Sequence, residues 1–214
     1  MESINPYIAI YTHKVKEYCD KEFFEQPELK KYKYYIVDNT NDNLEYFNKL
    51  KTLYTNNITH IDIPITPKES LFRRNVVESV NYLRNDFISK PEYDNFIIIE
   101  SDLILPDNGI EMLYNSISKT VNWGIIGGLY YKGFHDYNKI GVQQTHHVLS
   151  GCSLYNRKLI EDTVFRIDDS NKGAFPDAWM SVDAGDKGYN LYNNHDIKCK
   201  HLHAKDGHRG WNKL

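Results

Sequence analysis

Phe96-Ile97-Ile98-Ile99, followed at once by Glu100-Ser101-Asp102, constrains this chain more than any other stretch. The apolar run does not alternate with polar residues, is rich in β-branched side chains and is too short for a helix. It predicts a strand covered on both faces. Such a strand needs helices above and below it, in the middle of an α/β protein. The surrounding sequence agrees. Residues 7–11 and 34–37 are read as strands, with Thr12 after the first and Asp38 after the second, and Ile61 and Ile63 suggest a third. Leu44, Phe47, Leu50 and Leu53 recur at helical spacing, as do Leu71, Val76, Val80 and Leu83 in a helix over 70–83. A helix over 108–118 leads to a strand over 123–126. This alternation predicts an α/β fold with a mostly parallel central sheet flanked by helices. Ligands of such sheets bind beyond the carboxyl ends of the strands, where Asp38, Glu100 and Asp102 would stand.

The second half is less regular. An apolar stretch over 148–155 holds Gly151 and Cys152, a short helix is expected over 156–163, and another over 177–187 is stopped by Gly188. Short strands follow over 189–192 and 197–201. No repeat or long linker divides the chain, so residues 1–214 are read as one domain. The 41% hydrophobic and 26% charged residues suit a globular protein. A net charge of -3, from 26 basic and 29 acidic side chains, argues against an extended nucleic-acid-binding surface. Cys19, Cys152 and Cys199 imply no disulfide framework and favour a reducing, cytoplasmic location. No run of 18 apolar residues predicts a membrane span, and the first ten residues lack the pattern of a secretory signal.

Several residues carry chemistry. Glu100 and Asp102 can turn toward one ligand as their strand unwinds, and oxygen ligands suit Mg²⁺ or Mn²⁺; a helix cap or turn is the plainer alternative. Asp177, heading its helix, suits a general base or an N-cap. Asp183 and Asp186 read as solvated helix residues, with Asp183 within possible reach of an acceptor. His201 and His203 would share one face of a strand and could complete a metal shell or form a structural pair. Cys199 shares that alternation, but a zinc site would need Cys152 from far away and lacks a Cys-x₂-Cys pair. His146 and His147 are adjacent and give little support to a joint site. Arg73 and Arg74, with Lys68 nearby, could meet a diphosphate or simply lie on a solvated helix face. Dinucleotide, P-loop and hydrolase-elbow motifs are absent.

Taken in order, these features resemble the nucleotide-sugar-dependent glycosyltransferases of the GT-A fold, nearest in pattern to the inverting enzymes of family 2. Ile8-Ala9-Ile10-Tyr11-Thr12 resembles the first strand of that fold, and Val37-Asp38-Asn39-Thr40-Asn41-Asp42 the acidic turn after its second. Phe96 to Pro106 resembles the strand with the Asp-x-Asp motif. Gly151-Cys152-Ser153-Leu154-Tyr155 resembles the acceptor-side segment. Pro176-Asp177 with Lys187-Gly188-Tyr189 resembles the Glu-Asp helix ending in Gly-Tyr. Glu100 stands where the family has Asp, and Pro176 where it has Glu. The Gln-x-x-Arg-Trp motif of processive synthases is missing, which disfavours polymer synthesis.

The resemblance implies that 1–106 binds the nucleotide sugar and 107–214 the acceptor, a glycan, glycoconjugate or other hydroxyl-bearing molecule. It implies that Thr12, Asp38, Arg73, Arg74 and Asp102 contact the nucleotide diphosphate sugar. Glu100, Asp102, His201 and His203 would hold Mn²⁺ or Mg²⁺, and Asp177 would deprotonate the acceptor, with inversion. A retaining enzyme of the same fold, a nucleotidyltransferase and a non-catalytic carbohydrate- or nucleotide-binding module are the rivals. The residues after the first strand, Thr12-His13-Lys14-Val15-Lys16, lack the glycine-rich loop of nucleotidyltransferases.

Overall fold

The computed structural model describes residues 4–55, 57–63, 71–130, 138–167 and 175–202. Lys68 and His203 lie outside them. Along the chain run β1 (Tyr7–Thr12), a 3₁₀ turn (Lys14–Cys19), α1 (Asp20–Glu25), α2 (Pro27–Lys30), β2 (Tyr34–Asp38), α3 (Glu45–Leu53), β3 (Ile58–His60) and α4 (Leu71–Ile88). Next come β4 (Asn95–Ile99), β5 (Leu103–Ile104), α5 (Gly109–Ile117), β6 (Trp123–Leu129) and β7 (Val142–Thr145). The described chain closes with β8 (Cys152–Asn156), α6 (Arg157–Asp162), α7 (Pro176–Asp186), β9 (Asn190–Lys198) and β10 (Lys200–His201).

The main sheet has the order β3-β2-β1-β4-β8-β6-β9-β7. β3, β2, β1 and β4 are parallel. β8 runs against both β4 and β6, β9 is parallel to β6, and β7 runs against β9. The fold is therefore α/β with a mixed sheet. The expected parallel arrangement holds from β3 to β4 and gives way beyond it. β3, β2, β1, β4, β6 and β9 nevertheless point the same way, so their carboxyl ends share one edge.

β4 accounts for the layering. Ile97 and Ile99 pack on one face with Phe23, Leu29, Leu50, Ile110 and Leu113, from α1, α2, α3 and α5. Phe96 and Ile98 pack on the other with Val80, Phe87, Leu159 and Met180, from α4, α6 and α7. All four strand residues are fully buried, the outcome expected of an apolar run without alternation. The third strand lies earlier than Ile61 and Ile63, because Ile58 stacks beside Ile36 and His60 beside Asp38 in the parallel register. The two short carboxyl-terminal strands expected from sequence are joined differently, as the long β9 and the two-residue β10.

Two buried side chains fix the segment after β4. Gln26 donates from Nε2 to the Phe23 and Leu103 carbonyls, and its Oε1 accepts the Leu105 N–H at 2.9 Å. Glu28 accepts the Asn108 and Ile110 N–H groups, both at 3.0 Å. Asn108, in the left-handed region at φ 58°, makes no side-chain cap of its own, so Glu28 satisfies the start of α5 from a distance. We expect Gln26→Ala to cost about 1–3 kcal/mol, since it strands buried backbone groups beside β5. Urea unfolding checks this; a midpoint equal to the parent's would assign those backbone groups to other partners.

Candidate functional site

The shared carboxyl edge gathers the polar residues. β4 delivers Glu100, whose N–H bonds the Gly151 carbonyl at 2.9 Å and whose Oε1 accepts the Tyr11 hydroxyl at 2.7 Å. The turn after it delivers Asp102, 5% exposed. Asp102 Oδ2 lies 2.8 Å from Lys16 Nζ and 3.2 Å from His201 Nε2. Lys16 Nζ also lies 4.0 Å from Glu100 Oε2. Backbone pairing explains how His201 arrives. β10 runs antiparallel to β5 with His201 opposite Leu103, and the Leu202 N–H bonds the Asp102 carbonyl at 2.8 Å.

Burial disfavours ionisation of both carboxyls, and their environments then separate them. For Glu100, burial and the neighbouring Asp102 charge outweigh Lys16, Tyr11 and His201, and its pKa is raised. For Asp102, Lys16 and His201 outweigh burial and hold it down at about 2. Lys16 loses solvation on burial, yet the two carboxylates raise its pKa and keep it charged.

Glu100, Asp102 and His201 each offer a ligand atom, and these atoms lie within 4.8 Å of one another. Asp102 Oδ1 is buried and has no hydrogen-bond partner among the described residues. Two carboxylates, an imidazole and an unmatched buried oxygen fit a divalent cation that prefers oxygen and nitrogen donors. Cys199 is a buried free thiol whose pKa the neighbouring Cys152 and burial push well up.

A second cluster closes the β2 end of the edge. Asp38 is fully buried. Its Oδ1 accepts the Thr40 N–H at 3.1 Å and hydroxyl at 2.7 Å, and its Oδ2 lies 2.9 Å from His60 Nδ1. His60 Nε2 lies 3.2 Å from Asp62. A cleft lined by Asn39, Thr40, His60 and Asp62 opens beside this pair. Thr12 is Asp38's register partner and stands 3.4 Å from the Tyr46 hydroxyl.

On the other side, Asp177 lies within the first turn of α7 rather than ahead of it. Phe175 is the capping position and Pro176 opens the helix. Asp177 Oδ1 accepts the Ala178 N–H at 2.9 Å, and its Oδ2 is 3.6 Å from His147 Nε2. Burial foremost, then the charges of Glu100 and Asp177, push the pKa of the half-buried Tyr130 hydroxyl well up. Tyr130 accepts the Gly151 N–H at 3.1 Å and meets the His201 ring edge-on at 5.8 Å. A Cβ on Gly151 would fall 2.6 Å from the Tyr130 ring, so only glycine allows this contact.

Other candidates take different places. Arg74 faces Glu78 at 3.9 Å on α4, and Arg73 stacks over the Phe175 ring at 5.7 Å. Asp183 is held by Arg166 in a two-point pair at 2.7 and 3.0 Å rather than left to solvent. Lys16, Tyr11, His60 and Tyr130 were not singled out from sequence. The alternation of β1 places Tyr11 on a definite face, but nothing local marks a lysine in a polar segment as buried.

Neither a protein-family model nor a curated protein matches the sequence. Among solved structures, the chain is similar to A197 from STIV, with a TM-score of 0.55 at 10% identity, over 94% of this chain and 87% of that one. It is also similar to S. aureus TarS 1-349, with a TM-score of 0.56 at 12% identity, over 92% of this chain and 60% of that one. The chain thus spans about three fifths of that TarS chain. At these identities the likeness is one of fold. No helix among the described residues is long and apolar enough to cross a membrane.

The His60–Asp38 pair has a pH signature. Burial lowers the imidazole pKa, but hydrogen bonds and charge from Asp38 and Asp62 outweigh it, and the net shift is upward. A raised folded-state value stabilises fully below the unfolded value of 6.5 and fades as pH rises through the folded value. His60→Gln should therefore cost on the order of 1 kcal/mol at pH 6 and much less at pH 9. Urea midpoints of both proteins at the two pH values test this; a gap that widens with pH would assign His60 a neutral role.

Proposed function

We propose that this protein is a GT-A-fold glycosyltransferase that moves a sugar from a nucleotide diphosphate sugar to the hydroxyl of a glycan, glycoconjugate or other acceptor. The observation that carries this reading is the set Glu100, Asp102 and His201 at the carboxyl end of β4. Asp177 lies in the first turn of α7 with His147 beside it. In this reading residues 1–106 bind the donor and 107–214 the acceptor. Glu100 and Asp102 hold Mn²⁺ or Mg²⁺ with His201 completing the set; His203 is a further candidate. The cation would neutralise charge gathering on the departing nucleoside diphosphate.

The nucleotide end lies in the cleft beside β2 and β3. Asp38 acts there chiefly through Thr40 and His60, which it holds in place, with Thr12 behind it. Arg73 and Arg74 are proposed as cations for the diphosphate, reached by turning from Phe175 and Glu78. Asp177 takes the acceptor hydroxyl proton as that oxygen bonds to the anomeric carbon. The bond from that carbon to the diphosphate breaks on the opposite side, so one displacement inverts the centre. His147, 3.6 Å from Asp177 Oδ2, would orient the carboxylate.

Two variants separate these roles. Asp102→Ala should remain folded and lose Mn²⁺-dependent binding of nucleoside diphosphate in calorimetry. Unchanged affinity with unchanged metal dependence would remove Asp102 from the site. Asp177→Asn should bind metal and nucleotide almost normally, while release of nucleoside diphosphate from its nucleotide sugar, found by screening a donor panel, falls by roughly 10²–10⁴. Asn keeps the side chain's size and its acceptor oxygen, so the melting temperature should hold. Near-parental turnover would make Asp177 a helix residue only.

A further inference from the structure

Lys16 occupies the ground that the proposed metal site needs. Its side chain is 5% exposed, it lies in the Lys14–Cys19 turn directly after β1, and its ammonium is 2.8 Å from Asp102 Oδ2 and 4.0 Å from Glu100 Oε2. A buried ammonium persists only when paired, and these carboxylates are two of the three described residues grouped closely enough to hold a cation. Oδ2 of Asp102 is moreover the oxygen that His201 approaches. A divalent ion bridging Glu100, Asp102 and His201 would sit beside the Lys16 ammonium, and like charges against one carboxylate repel.

We infer that Lys16 is an internal competitor for the divalent cation: it seats on Asp102 and yields that seat when the ion arrives. This rests on the metal-site reading above and adds a control to it. The four-carbon stem gives the ammonium room to withdraw while its backbone stays in the turn, and a lysine is a compact point charge suited to exchange. Metal affinity is then the difference between two cations on the same oxygens. Either cation keeps Asp102 from being buried as an uncompensated charge.

The test uses the full chain and Mn²⁺ alone. Lys16→Met keeps the apolar stem and removes the charge. Calorimetry or Mn²⁺ electron paramagnetic resonance should show this variant binding Mn²⁺ at least about tenfold more tightly than the parent, and Mn²⁺ should raise its melting temperature more than the parent's. Binding no tighter than a parent that does bind Mn²⁺ would overturn the competition and leave the metal site standing. Absence of binding in both proteins would overturn the competition and the metal reading together. Where the variant does not fold, the parent decides through reductive methylation of lysines read by peptide mass spectrometry. Lys16 should react slowly and become several-fold faster with Mn²⁺; a rate indifferent to Mn²⁺ would overturn the inference.

Discussion

Two carboxylates at the end of one buried strand are the constraint around which the described structure is arranged. Glu100 and Asp102, one half-buried and the other buried, repel each other, and each negative charge needs a partner. Lys16 from the turn after β1 and His201 from β10 supply charge or hydrogen bonding to Asp102, and the Tyr11 hydroxyl supplies a hydrogen bond to Glu100. The unequal division leaves one carboxyl reluctant to ionise and the other firmly ionised. A pair poised this way can accept a cation without a large rearrangement of backbone.

The mixed sheet is what brings these partners together. β8 runs backward between β4 and β6, so the strands on either side can run forward and empty onto the same edge. That edge receives Thr12, Asp38, His60, Glu100, Tyr130 and His201. Gly127 and Gly128 make the crowded half possible. A Cβ on the first would fall 2.5 Å from Val148, and one on the second 2.7 Å from Ile197.

The central strand and its acidic end were legible because an unbroken apolar run has one good explanation, and because carboxylates directly after it have few places to go. Asp177 was legible as a helix-start residue, though Pro176 shifts it into the first turn. What escaped was set by distant partners. β5 and β10 are two residues each and, among the described residues, pair only with one another. Asn193, Asn194 and His195 read as a polar break between two strands, yet they are buried within β9, where Asn194 donates to the Ser116 hydroxyl at 2.8 Å. β7 is a half-exposed Val-Gln-Gln-Thr with no apolar pattern to announce it. Lys16 resembles any solvated lysine until the fold closes over it.

The pairing of β10 with β5 has a consequence for the order of events as the chain folds. Lys200 and His201 meet residues almost a hundred positions earlier, in a ladder of two residues on each side with the Leu202 N–H on the Asp102 carbonyl beside it. Closing so long a loop costs entropy before the few contacts can repay it. The parallel strands β1, β2 and β4 pair with one another without β10. The scaffold can therefore assemble first, with Asp102 already matched by Lys16, and the imidazole joins last. A kinetic experiment on this protein would then find the sheet's protection from hydrogen exchange established before the histidine docks.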